Sequence, residues 1–599
     1  MSSYTAPVED LRFVLNEVVG LDAVAALPHC ESAAPDLVDA ILEEAGKFAS
    51  GVLAPLNPVG DKQGSTLQNG VVRTPAGWKD AYAQFVEAGW NSLPFEPDFG
   101  GQGLPWTVAF AVNEMWQAAN LSFGLCPLLT QGAVDLLTEH ASAEQKTVYL
   151  SRMIAGEWTG TMNLTEPQAG TDLAAVRTRA VRAEDGTYRI TGQKIFITYG
   201  DHDLTENIVH LVLARLPDAP AGIKGISLFI VPKFLPNPDG TPGARNDLRC
   251  ASLEHKLGIM ASPTAVMAYG DDGGATGFLV GAENRGIEYM FTMMNNARLG
   301  VGIQGVAIAE RAYQQARDYA KARVQSKDLA DAKGSAVAII RHPDVRRMLL
   351  DMRAKTEAAR ALALYAGTQL DIARHHADTA VRAAAAARVD VLTPIVKAWS
   401  TDIGCEVAST GVQIHGGMGF IEETGAAQHY RDARITPIYE GTNGIHANDL
   451  AFRKTGRDQG AAARAFIADM RATAAELAQA PGDDLAVIRG ELTAGLDALD
   501  RAVDWIVATQ AEGDLRGAAA GAVAYLKLWG AVAGGWMLAR SAAKAMDGLR
   551  RPGANAPFLE AKLIVARFYA EQILAPAPAL LPTIASARNT VMALGEDQF

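Results

Sequence analysis

Cysteine is scarce: 599 residues hold only Cys30, Cys126, Cys250 and Cys405, and none stands in a CxxC pair. That spacing argues against a disulfide scaffold and a zinc ribbon, and it fits reduced thiols in a cytoplasmic protein. No cluster of His and Cys ligands occurs along the chain, so no metal is expected. Excess positive charge is also missing. A net charge of −13 disfavours nucleic acid and anionic membrane surfaces as partners. The most apolar late stretch, 517–539, is interrupted by Lys527 and stopped by Arg540. Neither part reaches the ~18 apolar residues that a span needs, so no membrane span is expected. The first residues, MSSYTAPVEDLRF, carry acids early and no apolar core, which argues against a signal peptide.

What is present reads as a globular enzyme: 49% of residues are apolar and 20% charged. The length suggests several domains. Residues 1–160 are expected to be mostly helical, with apolar residues at helical spacing over 38–52 and 144–155. Between them, 94–105 is a loop too rich in Gly and Pro for helix or strand. The pattern changes over 161–284. Asp185-Gly186 looks like a hairpin turn, 208–214 and 226–231 are short runs rich in β-branched residues, and 235–240 reads as a loop. Residues 285–455 return to helix. Leu299, Gly302, Ile303, Val306, Ala309, Tyr313 and Ala316 step by three and four, and Thr393-Pro394 reads as a cap followed by proline in a first turn. Residues 465–599 are an alanine-rich helical tail, clearest over 496–506 and 521–546. The expected fold is mostly α with a central β domain.

The stretch 413–444, QIHGGMGFIEETGAAQHYRDARITPIYEGTNG, carries the chemistry. Glu440 stands in an apolar context of Ile435, Pro437, Ile438 and Tyr439. A carboxylate that loses solvation there has its pKa raised, which suits a base for a weakly acidic C–H. Gly441 beside it leaves room for a flat substrate group, and Gly416-Gly417 lets backbone lie against a nucleotide.

The helical, β, helical order and four local motifs resemble the acyl-CoA dehydrogenase family of flavoproteins over residues 80–455. The first motif is Leu164-Thr165-Glu166-Pro167-Gln168-Ala169-Gly170-Thr171-Asp172, preceded by Asn163 where a small residue is usual. The resemblance implies that Thr165 hydrogen-bonds the flavin, that Met162, Leu164 and Gly170 lie beside it, and that Thr171 serves cofactor and substrate pyrophosphates. The second is Lys194-Ile195-Phe196-Ile197-Thr198-Tyr199-Gly200, with Phe196 stacking near the flavin, Ile197 beside it and Thr198 donating towards N5. Many members carry Trp and Asn where this chain has Phe196 and Tyr199. The third is a pair of arginines that open and close a long helix. Arg298 would lie near the substrate, and Arg323 would meet the FAD diphosphate across a subunit interface, although Val324-Gln325-Ser326 replaces the usual Phe-Gly after it. The fourth is Gln413, Gly416, Gly417 and Gly419, which would line the ADP half of a neighbouring subunit's FAD. Gln428 replaces a usual Lys or Arg. Thr442 and Gly444 would contact the flavin, Gly444 in place of a glutamine, while Tyr439 and Gly441 would border the substrate. Glu440 falls at the family's base position. The alternative position holds Ala297, which cannot act.

The architecture implied is a helical N-domain, a β-barrel-like middle domain and a four-helix-bundle domain, plus an extra C-terminal helical domain. The reaction implied is α,β-dehydrogenation of an acyl-CoA to a trans-2-enoyl-CoA, with Glu440 taking the Cα proton, FAD receiving the hydride, and an electron-transfer flavoprotein as acceptor. The length, the tail and segments 254–264 and 291–295 resemble the 3-methylmercaptopropionyl-CoA dehydrogenase-like branch, so the expected substrate is that thioester or a fatty acyl-CoA. An acyl-CoA oxidase is an alternative. A DNA-associated relative of the alkylation-response type is disfavoured, because the tail has a slight acidic excess where DNA binding requires a basic one. A homodimer is expected, because Arg323, Gln413 and Gly416-Gly417 would reach another subunit's FAD.

Overall fold

The apolar runs at 208–214 and 226–231 form the strands Asn207–Arg215 and Ile226–Pro232, paired antiparallel, as their β-branched residues favour. The computed structural model describes residues 4–331, 333–480 and 482–599. It divides into two units: Lys47–Leu104 with Met115–Gly300, and the chain up to Gly46 with Pro105–Glu114 and Val301–Phe599.

The first unit is built on an eight-stranded sheet. Its longest strand, Tyr188–Thr198, pairs antiparallel with Thr264–Tyr269, Ala275–Leu279 and Arg179–Arg182. Ala275–Leu279 continues to Ile226–Pro232 and thence to Asn207–Arg215, which meets Arg179–Arg182 again. This closes a five-strand ring, the barrel-like middle domain. Asn207–Arg215 is buried on both faces, which is why it reads as a continuous apolar run and not as an alternating one. Val212, Ala214, Phe229, Val231, Ile190 and Ile197 fill the interior. The turn at Asp185-Gly186 joins Arg179–Arg182 to Tyr188–Thr198 as expected. Segment 235–240 is less loop-like than its Pro and Gly content suggests: Phe234–Pro236 pairs with Pro242–Arg245 across a tight turn, because proline is tolerated on a two-stranded edge ribbon.

The helices of this unit include Ala54–Gln63, Leu121–His140 and Ala143–Ala155. The helix expected over 38–52 ends at Phe48 and passes through a wider turn at Ala49–Leu53 before Ala54–Gln63. Leu121–His140 and, in the second unit, Leu515–Leu549 are long and apolar enough to cross a membrane by composition. The most apolar 18-residue windows of these helices are 89% and 83% buried within the protein, as in core helices.

In the second unit the C-terminal part of the helix Gly286–Ala322 meets Thr379–His415, where Gly302 and Gly305 lie against Val396 and Ser400, and Pro343–His375, where Arg360 donates to Glu310. Two expectations are corrected here. Arg298 does not open the long helix, which begins at Gly286, twelve residues earlier, after the left-handed Asn284 breaks the chain direction. Thr393-Pro394 does not start a helix either: Thr379–His415 runs through Pro394. Proline removes one backbone donor, but the alanine-rich turns before it favour helix strongly and the segment is buried. The Thr393 hydroxyl donates back to Val389 O at 2.8 Å and caps nothing.

The tail forms Ala461–Leu477, Asp483–Ala511, Leu515–Leu549, Ala556–Tyr569 and Leu580–Thr590. Leu515–Leu549 docks on Thr379–His415, where Gly530 and Gly534 receive the Trp399 indole. A buried charge network adds to this. Arg360 donates to Glu114 at 2.5 Å, to Glu310 at 2.8 Å and to Asp10 at 2.6 Å, while Lys562 donates to Glu357 at 2.9 Å and also to Asp10. Arg360 is thereby held firmly charged, its carboxylate partners outweighing its burial.

Candidate active site

Most of the flavin-facing residues expected from sequence lie in the first unit, whereas Thr442 and Gly444 lie in the second. Strand Tyr188–Thr198 carries a β-bulge against Thr264–Tyr269: Ile197 pairs with Ala265 and Lys194 with Met267, leaving Ile195 and Phe196 opposite a single residue. The bulge turns the Ile195 N–H out of the ladder, and it donates to Thr165 O at 2.9 Å. Phe196 adopts φ 59° and is 58% exposed, while Ile197 points into the barrel core. A left-handed phenylalanine costs roughly 1–3 kcal/mol, and such strain persists only where the surroundings fix it. The fixing groups are buried. Lys194 donates to Leu164 O at 2.9 Å and to Glu166 at 2.8 Å, and Tyr199, also left-handed at φ 50°, donates its hydroxyl to Ser122 O at 2.7 Å.

Thr165, Phe196, Ile197 and Thr198 are thus brought together. Met162 sits in the adjoining strand Trp158–Asn163, and Gly170 and Thr171 are exposed farther along the Thr165 loop. Arg298 lies on a separate helix, where it donates to Asn295 at 3.3 Å and covers the Phe291 ring. Among the described residues, the Thr165 and Thr198 hydroxyls make no hydrogen bond to protein. An exposed aromatic ring beside two uncommitted hydroxyls fits a flat heteroaromatic ring with polar edges. The open space at Gly170, where an added Cβ would meet nothing within 4 Å, agrees with that fit. No group of three or more His, Cys, Asp or Glu able to hold a metal occurs among the described residues.

The candidate base lies in the second unit. After the helix Ala426–Ala433 the chain makes tight turns at 435–439 and enters Asn443–Asn448. Glu440 has φ 56° and Gly441 φ 88°, two left-handed residues in succession. Gly441 needs to be glycine twice over: an L side chain is strained at that φ, and its Cβ would come within 3.2 Å of His446 Nε2. The turn is held from several directions. His446 Nε2–H donates to Glu440 O at 2.9 Å, Lys397 Nζ donates to Gly441 O at 2.7 Å and Asn443 Oδ1 at 2.9 Å, and Asn443 N donates to Pro437 O at 3.0 Å. The Tyr439 hydroxyl donates to Gln304 Oε1, and burial followed by the nearby Glu440 charge keeps that phenol neutral. Tyr439, Glu440, Gly441, Thr442 and Gly444 therefore form one compact turn, with Thr442 and Gly444 exposed.

Arg323, Gln413, Gly416 and Gly417 are exposed elsewhere in this unit. Arg323 follows the end of Gly286–Ala322, its N–H still bonded to Tyr319 O at 2.8 Å. Gln413 and Gly416-Gly417 flank His415, which stacks on Tyr319 with centroids 4.3 Å apart. A Cβ on Gly416 or Gly417 would meet nothing within 4 Å, so the backbone there is open to a ligand. Lys194, Glu166, Lys397, Asn443, His446 and Gln304 support these sites, and motif reading gave them no role. For the two lysines a signal existed: each is a lone charge in an apolar segment, and a lysine is seldom fully buried without a specific partner.

Four family models match the chain. They are the acyl-CoA dehydrogenase N-terminal domain over 38–157, its middle domain over 161–272, its C-terminal domain over 284–455, and an acetyl-CoA dehydrogenase C-terminal-like domain over 466–595. A 3-methylmercaptopropionyl-CoA dehydrogenase of Ruegeria pomeroyi is 52% identical over 578 residues, covering 96% of each chain. A broad-specificity linear acyl-CoA dehydrogenase of Mycobacterium tuberculosis is 35% identical over the whole of both chains. An acyl-CoA dehydrogenase from Bacillus anthracis solved in complex with FAD superposes with a TM-score of 0.73 at 20% identity, covering 98% of this chain and 92% of that one, a likeness of fold. With matches running from residue 38 to residue 595 and a relative alike over nearly its full length, the chain belongs to the acyl-CoA dehydrogenase family of FAD-dependent oxidoreductases.

Proposed function

We propose that this enzyme dehydrogenates 3-methylmercaptopropionyl-CoA across Cα–Cβ, with Glu440 as the base. The observation that carries the substrate is the 52% identity over 96% of both chains to the Ruegeria pomeroyi enzyme, a match that extends through the C-terminal helices. The thioether of this acyl group replaces one methylene of a pentanoyl chain, so the two are close in size. Its sulfur adjoins Cβ, and conjugation of the sulfur lone pair with the new double bond favours loss of hydride from that carbon.

The Glu440 carboxylate takes the Cα proton and becomes a carboxylic acid. Its backbone N–H offers a donor to the thioester carbonyl, where negative charge develops. Thr165, Phe196 and Thr198 would hold the flavin ring, with Met162, Leu164, Ile197, Gly170 and Thr171 around it. By the same resemblance, Thr442 and Gly444 would also meet a flavin. Arg298, Tyr439, Gly441 and Thr171 would border the acyl-CoA. Arg323, Gln413, Gly416 and Gly417 would serve the ADP half of a second subunit's FAD in a homodimer. FAD, when bound, would supply a two-electron acceptor for the hydride that leaves Cβ. An electron-transfer flavoprotein is the proposed acceptor. A structural neighbour described with the electron-transferring flavoprotein of Acidaminococcus fermentans supports it, at 27% identity and a TM-score of 0.57, covering 69% of this chain and 97% of that one. Four free thiols support a reducing, cytoplasmic location.

The test is a panel of 3-methylmercaptopropionyl-, butyryl-, pentanoyl- and octanoyl-CoA with an artificial dye acceptor. The expected order of kcat/KM puts 3-methylmercaptopropionyl-CoA first and pentanoyl-CoA next. A maximum at octanoyl-CoA would overturn the substrate assignment and leave the reaction standing.

A further inference from the structure

The Glu440 turn is strained, and two of its hydrogen-bond anchors, Lys397 and His446, lie outside the stretch 413–444. Glu440 and Gly441 are both left-handed, at φ 56° and 88°. Observed backbone strain of this kind marks a place where the surroundings dictate geometry. One anchor is a charge where charge is costly. Lys397 is 0% exposed, on a stretch of Thr379–His415 that is buried all round from Val391 to Thr401. It donates to Gly441 O at 2.7 Å and to Asn443 Oδ1 at 2.9 Å. A neutral donor could satisfy both oxygens without the desolvation cost of an ammonium. What distinguishes an ammonium is its positive charge, which Asp402 on the same helix feels. The other end of the turn is fixed too. Asn443 Nδ2 donates to Ala398 O at 3.0 Å and to Asp402 at 2.7 Å, so the same helix grips the turn on both sides of the Lys397 bond.

We propose that Lys397 is a positioning residue for Glu440. By holding Gly441 O and Asn443 Oδ1 from a buried helix, it fixes the left-handed pair and so the direction in which the Glu440 side chain leaves the backbone. The proposal rests on Glu440 being the base.

The experiment follows flavin bleaching by anaerobic rapid mixing with 3-methylmercaptopropionyl-CoA or pentanoyl-CoA, in wild type, Lys397→Met, Glu440→Gln and the double variant. Lys397→Met should keep its FAD spectrum and its half-saturating substrate concentration within about 3-fold, while the limiting bleaching rate falls by about 10²-fold, as a displacement near 1 Å can produce. In the Glu440→Gln background the same change should cost less than about 3-fold, because there is no carboxylate left to position. A limiting rate within about 3-fold of wild type, or equal losses in both backgrounds, overturns the proposal. Should Lys397→Met lose FAD, Asn443→Ala removes the other end of the clamp and is read by the same two criteria. Glu440→Gln bleaching at the wild-type rate would instead overturn the base assignment, and that result needs no Lys397 variant.

Discussion

At the scale of single residues, the buried pair Lys194 and Glu166 supports the loop at Thr165 much as Lys397 supports the Glu440 turn. Glu166 accepts from Lys194 Nζ at 2.8 Å, the Thr178 hydroxyl at 2.6 Å and the Arg177 N–H at 2.8 Å. Burial alone would raise this carboxyl, but the ammonium and the hydrogen bonds outweigh it and bring its pKa down to about 2. Burial draws Lys194 down to about 8 against the pull of Glu166, so the pair is ionised at neutral pH. The folded pKa of Glu166 lies below its ordinary 4.5, so its stabilisation is complete above that value and is lost as pH falls towards about 2. Lys194→Met leaves the carboxylate buried without its counter-charge, and should cost ~3–5 kcal/mol in denaturant unfolding at pH 7 and weaken FAD retention. The advantage of wild type over Glu166→Gln should shrink as the pH is lowered through that window. A Lys194→Met loss below about 1 kcal/mol, within the range of a surface pair, would count against this account.

At the scale of elements, Thr379–His415 links the Glu440 turn to the C-terminal helices. Lys397 grips the Glu440 turn and, two residues on, Trp399 lies against Gly530 and Gly534 of Leu515–Leu549. An exposed helix glycine gains up to ~1 kcal/mol when changed to alanine. Gly530→Ala should reverse that sign, because the three atoms nearest its new Cβ all belong to the Trp399 indole, within 2.7 Å. The expected cost is ~1–3 kcal/mol. Trp399→Ala should cost ~3–5 kcal/mol, and the double variant less than the sum, since removing the indole vacates the space. A more stable Gly530→Ala enzyme would show that the two helices do not meet this way. Much of this was legible in sequence and some was not, for physical reasons. The helix over 299–316 and the paired runs at 208 and 226 are carried by local spacing, which periodicity reads directly; Glu440 is singled out by its local motif and the family resemblance instead. Passage of a helix through Pro394 depends on burial and on the alanine-rich turns before it. The bulge at Phe196 depends on a partner strand about seventy residues on. The clamp on Gly441 comes from a lysine 44 residues away. No local pattern encodes such long-range partners, although a lysine in an otherwise apolar helix marks a place to look for one.

At the scale of the whole molecule, the C-terminal helices bear on how many copies assemble. Trp529 and Trp536 are buried within the chain; Trp536 meets Tyr365 of Pro343–His375 edge-on at 5.0 Å, and Trp529 stacks on Phe466 at 5.7 Å. The outer faces of Pro343–His375 and Thr379–His415 are therefore covered by the chain's own tail, which needs no association entropy to bind. Apolar surface is left instead around the open Gly416-Gly417 backbone, where Phe420 is 86% exposed and Met418, Ile421 and Tyr430 are also exposed. A patch of that kind marks an interaction surface, and it adjoins the residues proposed to serve a second subunit's cofactor. Covering one face and leaving the other open favours a dimer over a tetramer. Light scattering of the FAD-bound enzyme should give two chains per particle. Phe420→Asp places a charge in the patch and should shift the particle to one chain with loss of FAD, while the helical content stays unchanged. A tetramer would mean that the tail does not block further pairing. A wild-type monomer that holds FAD tightly would mean that Arg323, Gln413 and Gly416-Gly417 serve no neighbour.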